Sequence, residues 1–359
     1  MSKIVVGMSG GVDSSVAAFL LKEQGHEVIG VTSVMNMQGD NLSAHPDVSD
    51  AISVCNLLGI EHKIVDMRKE FEHSVIAPFV CAYSLGQTPN PCNLCNRYIK
   101  WEALIQIADS LGADYIATGH YARIERYSNG RFSVRNSKTA AKDQTYALCM
   151  LTQSELSRTL MPLGDYTKEE IRAIAASNNL PVAHKHDSQD ICFIPDGDYA
   201  SYIDSYAKTR ATDDSFTFNA PHPGHFIDVN GSLLGTHKGI THYTIGQRRG
   251  LTIAAGTRIF VKSINPDTNE IILSDNDSLF STELIADNVN MMSMEKLTAP
   301  VKALTKIRYA HKGTMSTIFP INDTSVRIVF DEPVRAITPG QNAVFYENDH
   351  ILGSGIIRQ

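Results

Sequence analysis

The stretch Lys3-Ile4-Val5-Val6-Gly7-Met8-Ser9-Gly10-Gly11-Val12-Asp13-Ser14-Ser15 joins an apolar run to a glycine-rich turn near the start of the chain. The apolar run predicts a buried β-strand, and the residues after the turn place Val16, Phe19 and Leu20 on one face of a helix. A strand, a turn and a helix in this order are typical of a parallel sheet. We therefore expect an α/β fold.

The same alternation continues through the first 120 residues. Further strands are predicted at Val28–Thr32, His62–Val65 and Tyr115–Thr118, and amphipathic helical segments separate them. This pattern predicts a parallel sheet with helices on both faces. We assign residues 1–208 to this first domain.

The chain changes character after the polar segment 208–215. Its 359 residues are enough for two or three domains. Short β-like runs between turn residues follow, at Arg258–Ile264, Glu270–Leu273, Val326–Phe330 and Ala343–Tyr346. We expect a small β-rich central domain at 209–285 and a C-terminal β-barrel at 286–359.

The composition is that of a globular protein. Hydrophobic residues make up 43% of the sequence, and no stretch approaches the roughly 18 to 20 apolar residues that span a bilayer. Six cysteines are too few for a disulfide scaffold in a chain of this length. We expect a cytoplasmic protein with no part in a membrane, and we take a monomer as the default.

The net charge argues weakly against nucleic-acid binding. It is −7, whereas phosphate binding needs lysine and arginine. Two basic segments, Gln247–Arg249 and Lys306–Lys312, are candidates for a local RNA-binding patch. A solvated charged face is the simpler interpretation of both.

The turn Ser9–Ser15 has the features of a phosphate-binding loop. Gly10 and Gly11 let the backbone approach a ligand, and Ser14, Ser15 and the first N–H groups of the helix offer donors to an anion. The loop lacks the lysine of a Walker A motif and the glycine spacing of a dinucleotide fingerprint. A plain glycine turn with a serine cap is the alternative.

Ser-Gly-Gly-Val-Asp-Ser at 9–14 resembles the pyrophosphate loop of the ATP pyrophosphatase superfamily. The resemblance implies an adenine nucleotide alpha hydrolase-like domain. Such a domain binds ATP and releases pyrophosphate when an acceptor oxygen attacks the α-phosphate. It also implies Mg²⁺, which Asp13, a candidate catalytic residue, would help to place.

Three cysteines lie in surroundings that favour a thiolate. Cys92 and Cys95 stand at the entry of a predicted helix, where unpaired N–H groups lower a thiol pKa. Cys192 follows the basic segment His184–His186, whose charge could act in the same way. The other three cysteines are expected to be buried small hydrophobes: Cys55, Cys81 and Cys149.

The pair formed by Cys92 and Cys95 permits three interpretations. A structural zinc site needs four ligands, and the sequence has no second such pair. A thioredoxin-like redox pair would follow the first strand of its fold, which this pair does not. Sulfur transfer accounts for Cys95, Cys192 and the ATP loop together, because an adenylated oxygen is a leaving group and a persulfide is the matching nucleophile.

Motifs along essentially the whole chain resemble, in order, those of the tRNA-specific 2-thiouridylase family. They are Gly-Met-Ser-Gly-Gly-Val-Asp-Ser at 7–14, Thr-Pro-Asn-Pro at 88–91, Leu-Cys-Asn-Arg at 94–97, Ala-Thr-Gly-His-Tyr-Ala-Arg at 117–123, Lys-Asp-Gln-Thr-Tyr at 142–146, Asp-Ile-Cys-Phe-Ile at 190–194, Tyr-Thr-Ile-Gly-Gln-Arg-Arg-Gly at 243–250 and Pro-Gly-Gln at 339–341. The resemblance implies a sulfurtransferase that adenylates the 2-oxygen of the wobble uridine of tRNA. Sulfur then replaces this oxygen, which gives 2-thiouridine, AMP and pyrophosphate.

The same resemblance implies roles for individual residues. Cys192 would carry a persulfide received from a donor protein such as a cysteine desulfurase or a relay, Cys95 would be the nucleophile, and a transient disulfide between them would close the cycle. The implied ATP contacts are Gly7, Met8, Ser9, Gly10, Gly11, Val12, Asp13, Ser14 and Gly119, with Ser33 as a candidate near the adenine. The implied tRNA contacts are Asn90, Pro91, Cys92, His120, Lys142, Asp143, Gln144, Arg308, Tyr309 and Gln341. The first three of these would face the target base.

Position 92 departs from the usual family pattern, in which an aspartate can serve as a general base. A thiol with a pKa of about 8.5 is mostly protonated at neutral pH, so the base role moves elsewhere or Cys92 has another function. One such function is iron–sulfur ligation, with Cys92, Cys95 and Cys192 holding a four-iron cluster.

Two other functions stay open on the sequence. One is an ATP pyrophosphatase that activates a small molecule, which would not need the paired thiols. The other is a nucleotide-binding or RNA-binding protein without catalysis. Release of pyrophosphate that depends on tRNA would exclude the second.

Overall fold

The computed structural model describes residues 1–37, 39–139, 142–186, 191–194, 196–210, 218, 220–253 and 256–358. Its strands are β1 (Lys3–Gly7), β2 (Glu27–Val34), β3 (Glu61–Asp66), β4 (Tyr115–Ala117), β5 (Ala122–Arg126), β6 (Phe132–Asn136), β7 (Thr159–Leu160), β8 (Gly224–Ile227), β9 (Leu233–His237), β10 (Phe260–Asn265), β11 (Glu270–Ser274), β12 (Phe280–Met291), β13 (Val301–Lys306), β14 (Thr314–Pro320), β15 (Ser325–Arg335), β16 (Asn342–Glu347) and β17 (His350–Ile357).

Its α-helices are α1 (Val12–Glu23), α2 (Pro46–Leu58), α3 (Arg68–Phe71), α4 (Ala77–Ser84), α5 (Pro91–Leu94), α6 (Glu102–Ser110), α7 (Gln153–Ser157), α8 (Lys168–Ser177) and α9 (Tyr199–Arg210). Two π-helical segments, Glu72–Ile76 and Cys95–Trp101, join α3 to α4 and α5 to α6. Among these described helices, none has the length and apolar character needed to cross a bilayer.

The predicted parallel sheet is present in the first domain. Its order is β3-β2-β1-β4-β7, and each neighbouring pair is parallel. The chain therefore winds outward from β1 in both directions. In such a sheet, ligands bind in the crevice at the carboxyl ends of the two strands where the winding reverses, which here are β1 and β4.

Helices cover both faces of this sheet, as the alternation of strands and helices predicted. Ile4 and Val6 of β1 are buried in a cluster with α1, α2 and α8. Val5, which points to the other face, is buried with Trp101 and Leu104. This opposite placement follows from the two-residue period of a strand.

The central domain contains a small sheet in the order β10-β11-β8-β9. Phe226, Val261 and Ile271 form its buried core. Helix α9 joins it to the first domain, because the Tyr199 hydroxyl donates to the His242 carbonyl oxygen at 3.2 Å.

The predicted C-terminal β-barrel is confirmed and is closed. Its strands follow the order β12-β15-β14-β13-β16-β17, and pairing of β12 with β17 completes the ring. Ile318, Ile328 and Phe345 are fully buried inside it. Closure removes the unpaired edges of the sheet.

The first domain and the barrel share both a sheet and a core, which the sequence did not predict. The hairpin β5–β6 of the first domain extends the barrel sheet, where Arg135 pairs with His350. Val344 and Tyr346 of the barrel are buried in the same cluster as Trp101. The barrel therefore packs into the same core as the residues on the second face of the parallel sheet.

Secondary structure differs from expectation where the first domain ends. The polar segment from residue 208 was expected outside any helix, but α9 continues to Arg210. The hydroxyl of Tyr206 and the guanidinium of Arg210 both contact Glu72, which stabilises this last turn. Strand β12 runs through the expected boundary between residues 285 and 286.

A glycine substitution tests how tightly the phosphate loop is packed. Gly10 has a φ of +69°, and a Cβ built there would lie 2.2 Å from the Asp47 carbonyl oxygen. Gly25 has a φ of +83° but nothing within 4 Å of its built Cβ. Both alanine variants meet a backbone cost of about 1–2 kcal/mol, and only Gly10→Ala adds a clash.

We expect Gly10→Ala to lower the thermal unfolding midpoint by about 3 °C or more beyond the effect of Gly25→Ala. Fluorescence of Trp101, the single tryptophan, reports unfolding of the first domain, because this side chain is fully buried there. Equal midpoints for the two variants would show that the loop tolerates a side chain at Gly10.

Candidate active site

The phosphate loop follows β1, and serine side chains order its backbone. The Ser9 N–H donates to Ser14 Oγ at 3.1 Å, and Ser15 Oγ donates to the Gly11 carbonyl oxygen at 2.8 Å. Gly11 stands at the N-cap of α1 and offers no side-chain cap. The N–H groups of the first turn of α1 have no partner within the helix and are left for an anion.

The structure brings the predicted ATP contacts together at the carboxyl ends of β1, β2 and β4. A Cβ built on Gly119, just after β4, would lie 2.6 Å from the Ser14 nitrogen. Between β1 and β2, the Met8 N–H donates to the Val31 carbonyl oxygen at 2.7 Å. Ser33 lies near the end of β2 and is half-buried.

Asp13 is held by partners that the sequence did not indicate. Lys168 Nζ lies 2.8 Å from both carboxylate oxygens, and the Tyr121 hydroxyl donates to Oδ1 at 2.8 Å. Lys168 itself is buried. These donors fix the orientation of the Asp13 carboxylate, which keeps free lone pairs on both oxygens, so its role in placing Mg²⁺ stays a prediction.

Cys95 is buried, and the expectation that it favours a thiolate is wrong. Only 7% of the residue is exposed, and its Sγ lies 3.7 Å from Met35 Sδ just beyond β2. Burial raises the pKa of the Cys95 thiol to about 11, although the nearby Lys100 charge opposes this rise. Desolvation therefore outweighs any effect of the helix start.

Cys192 lies at the surface beside the same cluster. Its neighbours Phe193 and Ile194 are buried with Cys95. Burial of the thiol raises the pKa of Cys192, and the charge that opposes the rise is that of Lys100. The prediction that the charge of Lys185 favours the Cys192 thiolate is wrong, because the Lys185 ammonium contacts the phosphate loop instead.

Cys92 is exposed in the first turn of α5. Its N–H donates to the Asn90 side-chain oxygen at 3.1 Å, so Asn90 caps this helix, and Pro91 between them is buried. No group of three or more His, Cys, Asp or Glu side chains among the described residues could hold a metal ion, and all three candidate cysteines are described. The iron–sulfur hypothesis therefore gains no support.

The other three cysteines match their expected structural role only in part. Cys55 and Cys149 are fully buried, whereas Cys81 is partly exposed. All six cysteines are free thiols in the structure.

His120 and Gln144 lie in the loops that follow β4 and β6. His120 Nδ1 is 2.9 Å from Thr118 Oγ1, and its ring packs 5.3 Å from the Trp101 ring. Burial, helped by the Lys100 charge, lowers the pKa of His120 well below its usual value, so the ring is neutral. Gln144 Oε1 accepts a hydrogen bond from the Tyr121 N–H at 2.8 Å.

The barrel brings its predicted tRNA contacts to the first domain. The Tyr309 hydroxyl donates to the Asp143 carbonyl oxygen at 3.2 Å. Burial raises the pKa of Tyr309, and the Asp143 charge acts in the same direction, whereas the Lys142 charge opposes the rise. Tyr309 is nevertheless 54% exposed.

Gln341 joins the barrel to the first domain, whereas Arg308 makes its hydrogen bond within the barrel. Gln341 Nε2 donates to the Thr88 carbonyl oxygen at 2.6 Å, close to the predicted base-facing residues. The Arg308 guanidinium donates to the Arg335 carbonyl oxygen at 3.2 Å. Their side chains thus position the loop before Cys92 and the end of β15.

Sequence reasoning missed Lys100, Met35 and Lys168. The positive charge of Lys100 lowers the pKa values of Cys95, Cys192 and His120. It lies five residues after Cys95 in a π-helical segment, where that spacing places two side chains on roughly the same side. In an α-helix, with 3.6 residues per turn, side chains five positions apart lie on different sides, so the sequence pattern did not pair Lys100 with Cys95. No sequence pattern pointed to Lys168 or Met35, because their partners Asp13 and Cys95 lie in distant parts of the chain.

Comparison with known families agrees with this order of domains. The tRNA methyl transferase HUP domain matches residues 2–196, the tRNA methyl transferase PRC-barrel domain matches 217–275, and the aminomethyltransferase beta-barrel domain matches 281–357. The fold and site thus define a three-domain protein built on a HUP domain. Among solved structures, a 4-thiouridine synthetase–RNA complex with bound ATP is 19% identical over 57% of this chain and 50% of that chain, with a TM-score of 0.39, which is too weak to bear on function.

Curated relatives match along the full chain. The tRNA-specific 2-thiouridylase MnmA of Lachnoclostridium phytofermentans is 49% identical over 99% of both chains. The protein of the same name from Clostridioides difficile is 46% identical over 99% of this chain and 98% of that one. This chain belongs to the tRNA-specific 2-thiouridylase family.

The raised pKa of Cys95 predicts a steep pH dependence of its reactivity. Only the thiolate reacts with iodoacetamide, so below the pKa of about 11 the alkylation rate of Cys95 rises about tenfold per pH unit. Brief alkylation between about pH 7 and 10, followed by peptide mass spectrometry, measures this slope. In urea, where the thiol regains its ordinary pKa of about 8.5, the rate should level off above about pH 9. A plateau below pH 9 in the folded protein would contradict the prediction.

Proposed function

We propose that this chain is a tRNA-uridine 2-sulfurtransferase, which uses ATP to make 2-thiouridine at the wobble position of tRNA. The names of its relatives, which match over 99% of the chain, support this. The observation that carries the proposal is the position of the cysteines. Cys95 and the residue after Cys192 are buried in one cluster, and Met35 connects Cys95 to the end of β2 beside the phosphate loop.

In the first step, the uridine O2 attacks the α-phosphorus of ATP, the N3 proton is lost and pyrophosphate leaves. Gly7–Ser14 and Gly119 are the proposed nucleotide contacts, and Ser33 is proposed near the adenine. The N–H groups at the start of α1 suit the negative charge of the phosphates. We propose that Mg²⁺ accompanies ATP and that Asp13 would help to place it.

In the second step, the terminal sulfur of a Cys192 persulfide attacks C2 of the uridine and AMP leaves. The Cys95 thiolate then attacks Cys192 Sγ. The bond between Cys192 Sγ and the transferred sulfur breaks, which gives 2-thiouridine and a disulfide between the two cysteines. A thiol reductant opens this disulfide, and a donor protein supplies the next persulfide.

The raised thiol pKa values bear on this second step. Burial keeps Cys95 mainly protonated at neutral pH, which protects it from adventitious oxidation. The Lys100 charge favours the thiolate of both cysteines, so it would assist when the nucleophile is needed. We propose Lys100 as a residue that tunes this pair.

The proposed RNA surface spans the first domain and the barrel. Asn90, Pro91 and Cys92 face the target base, and exposed Tyr309 offers a ring on which a base can stack. Exposed Arg248 and Arg249 of the central domain supply positive charge for phosphates. The remaining proposed contacts are His120, Lys142, Asp143, Gln144, Arg308 and Gln341.

Several further properties are proposed with this function. The three functional units are 1–208, 209–285 and 286–359. The protein acts in the cytoplasm as a monomer, with a persulfide-bearing sulfur donor protein as its partner. Cys92, at the position where the family usually has an aspartate, is proposed to contact the base and not to ligate a cluster.

The two steps can be separated by replacing one cysteine. Cys192→Ser removes the persulfide but leaves the phosphate loop intact. We expect pyrophosphate release in the presence of tRNA and ATP to stay within about threefold of the unchanged protein, and 2-thiouridine to fall at least about a hundredfold. Pyrophosphate is measured enzymatically, and 2-thiouridine by mass spectrometry of tRNA nucleosides after incubation with a persulfide donor.

Cys81→Ser is the matched control, because Cys81 lies on α4 outside the site and should leave both products unchanged. The ultraviolet-visible spectrum of the anaerobically purified protein is recorded first. If Cys192→Ser still makes 2-thiouridine, the proposed sulfur route is wrong. If only a brown, cluster-bearing protein is active, Cys92 is a ligand after all. If the unchanged protein makes no 2-thiouridine, the proposed substrate is wrong.

A further inference from the structure

Lys185 reaches from the turn after α8 back to the phosphate loop. Its Nζ lies 3.0 Å from the Gly10 carbonyl oxygen, 2.7 Å from Asp47 Oδ1 and 2.6 Å from Asp50 Oδ2. Asp47 and Asp50 belong to the first turns of α2. One ammonium group therefore joins the loop to two carboxylates on a neighbouring helix.

The loop and α2 are already in close contact at this point. The Asp47 backbone leaves no room for a side chain on Gly10, whose built Cβ would lie 2.2 Å from the Asp47 carbonyl oxygen. The two carboxylates therefore lie close to the loop that we propose binds the phosphates. Without the Lys185 ammonium, the negative charges of Asp47 and Asp50 would weaken the binding of a polyphosphate to the loop. Charges this close to the loop lie within the Debye length of about 10 Å and are therefore not fully screened by salt.

The ammonium group is suited to this place. Burial alone would lower the pKa of Lys185, but the hydrogen bonds with Asp47 and Asp50 outweigh it and raise the pKa. Lys185 is thus charged at physiological pH. It bonds a carbonyl oxygen of the loop, whereas phosphates bind N–H groups, so the two can be present together.

Lys185 also begins the segment that carries Cys192. Seven positions later in the sequence comes Cys192, and the next residue, Phe193, is buried in the cluster around Cys95. Lys185 thus contacts the phosphate loop, and Phe193 packs in the cysteine cluster.

We propose that Lys185 is a positioning residue of the nucleotide site, which holds the Gly10 carbonyl and compensates Asp47 and Asp50 so that the loop accepts the polyphosphate of ATP. This inference rests on the proposed function, since it assumes that ATP binds at the loop. It adds to the site a cation that the loop sequence lacks.

Charge-changing variants test the proposal through the KM for ATP in tRNA-dependent pyrophosphate release. Lys185→Met removes the charge and should raise the KM for ATP about tenfold, with kcat changed about threefold or less. Lys185→Arg keeps the charge and should stay within about threefold of the unchanged protein. The triple variant Lys185→Met, Asp47→Asn, Asp50→Asn removes all three charges and should restore the KM to within about threefold.

Lys63→Met is the matched control. Lys63 lies in the same domain, pairs with Glu61 at 2.7 Å and has a side chain that is 38% exposed, against 32% for Lys185. Its KM for ATP should not change. Melting followed by Trp101 fluorescence checks that each variant is folded, and the triple variant keeps the test decisive if Lys185→Met alone unfolds.

Each outcome decides between explanations. If the triple variant does not recover while Lys185→Met is impaired, compensation of Asp47 and Asp50 does not account for the loss, and the proposal is overturned. An unchanged KM in Lys185→Met overturns it too. If the unchanged protein releases no pyrophosphate with tRNA and ATP, the proposed function has failed, and the inference falls with it.

Discussion

The absence of side chains at Gly10 and Gly119 is the constraint on which the site depends. A Cβ at Gly119 would meet the start of α1, and a Cβ at Gly10 would meet the backbone of α2. Only glycine lets three segments of backbone come this close at the carboxyl ends of β1 and β4. The N–H groups of the loop are then held by packing, before any ligand arrives. Lys168 and Lys185 fix the same loop from a later part of the chain, through Asp13 and the Gly10 carbonyl.

The barrel contributes to the site although it lies more than a hundred residues away in sequence. Tyr309 contacts the backbone of Asp143, and Gln341 holds Thr88 just before the residues that are proposed to face the base. These contacts are possible because barrel side chains such as Tyr346 are buried in the core of the first domain. The proposed RNA surface therefore lies between two domains that are joined by apolar packing. The overall charge of −7 says little about such a local surface.

Much of the fold was predictable, because it is encoded by local patterns. The apolar runs gave β1 to β4, and the turn-rich C-terminal part gave a barrel. The hairpin β5–β6 was not predicted as part of the barrel sheet, because its partner strand β17 lies more than two hundred residues later. In the site, residue types suggested which cysteines react, but their pKa values depend on burial that no local pattern reveals. Lys185 shows the same limit: its neighbours in sequence pointed to Cys192, whereas its neighbours in space are Gly10, Asp47 and Asp50.

The shared core sets an order for folding during synthesis. The cluster that closes the second face of the parallel sheet includes Ile351, which the ribosome adds long after Val5 and Trp101. Domains commonly fold from the N-terminus as they emerge, but here the first domain still exposes apolar surface after all of its own residues have been made. That surface is a natural binding place for chaperones until the barrel arrives. Nascent chains that stall before the barrel would therefore keep this apolar surface exposed.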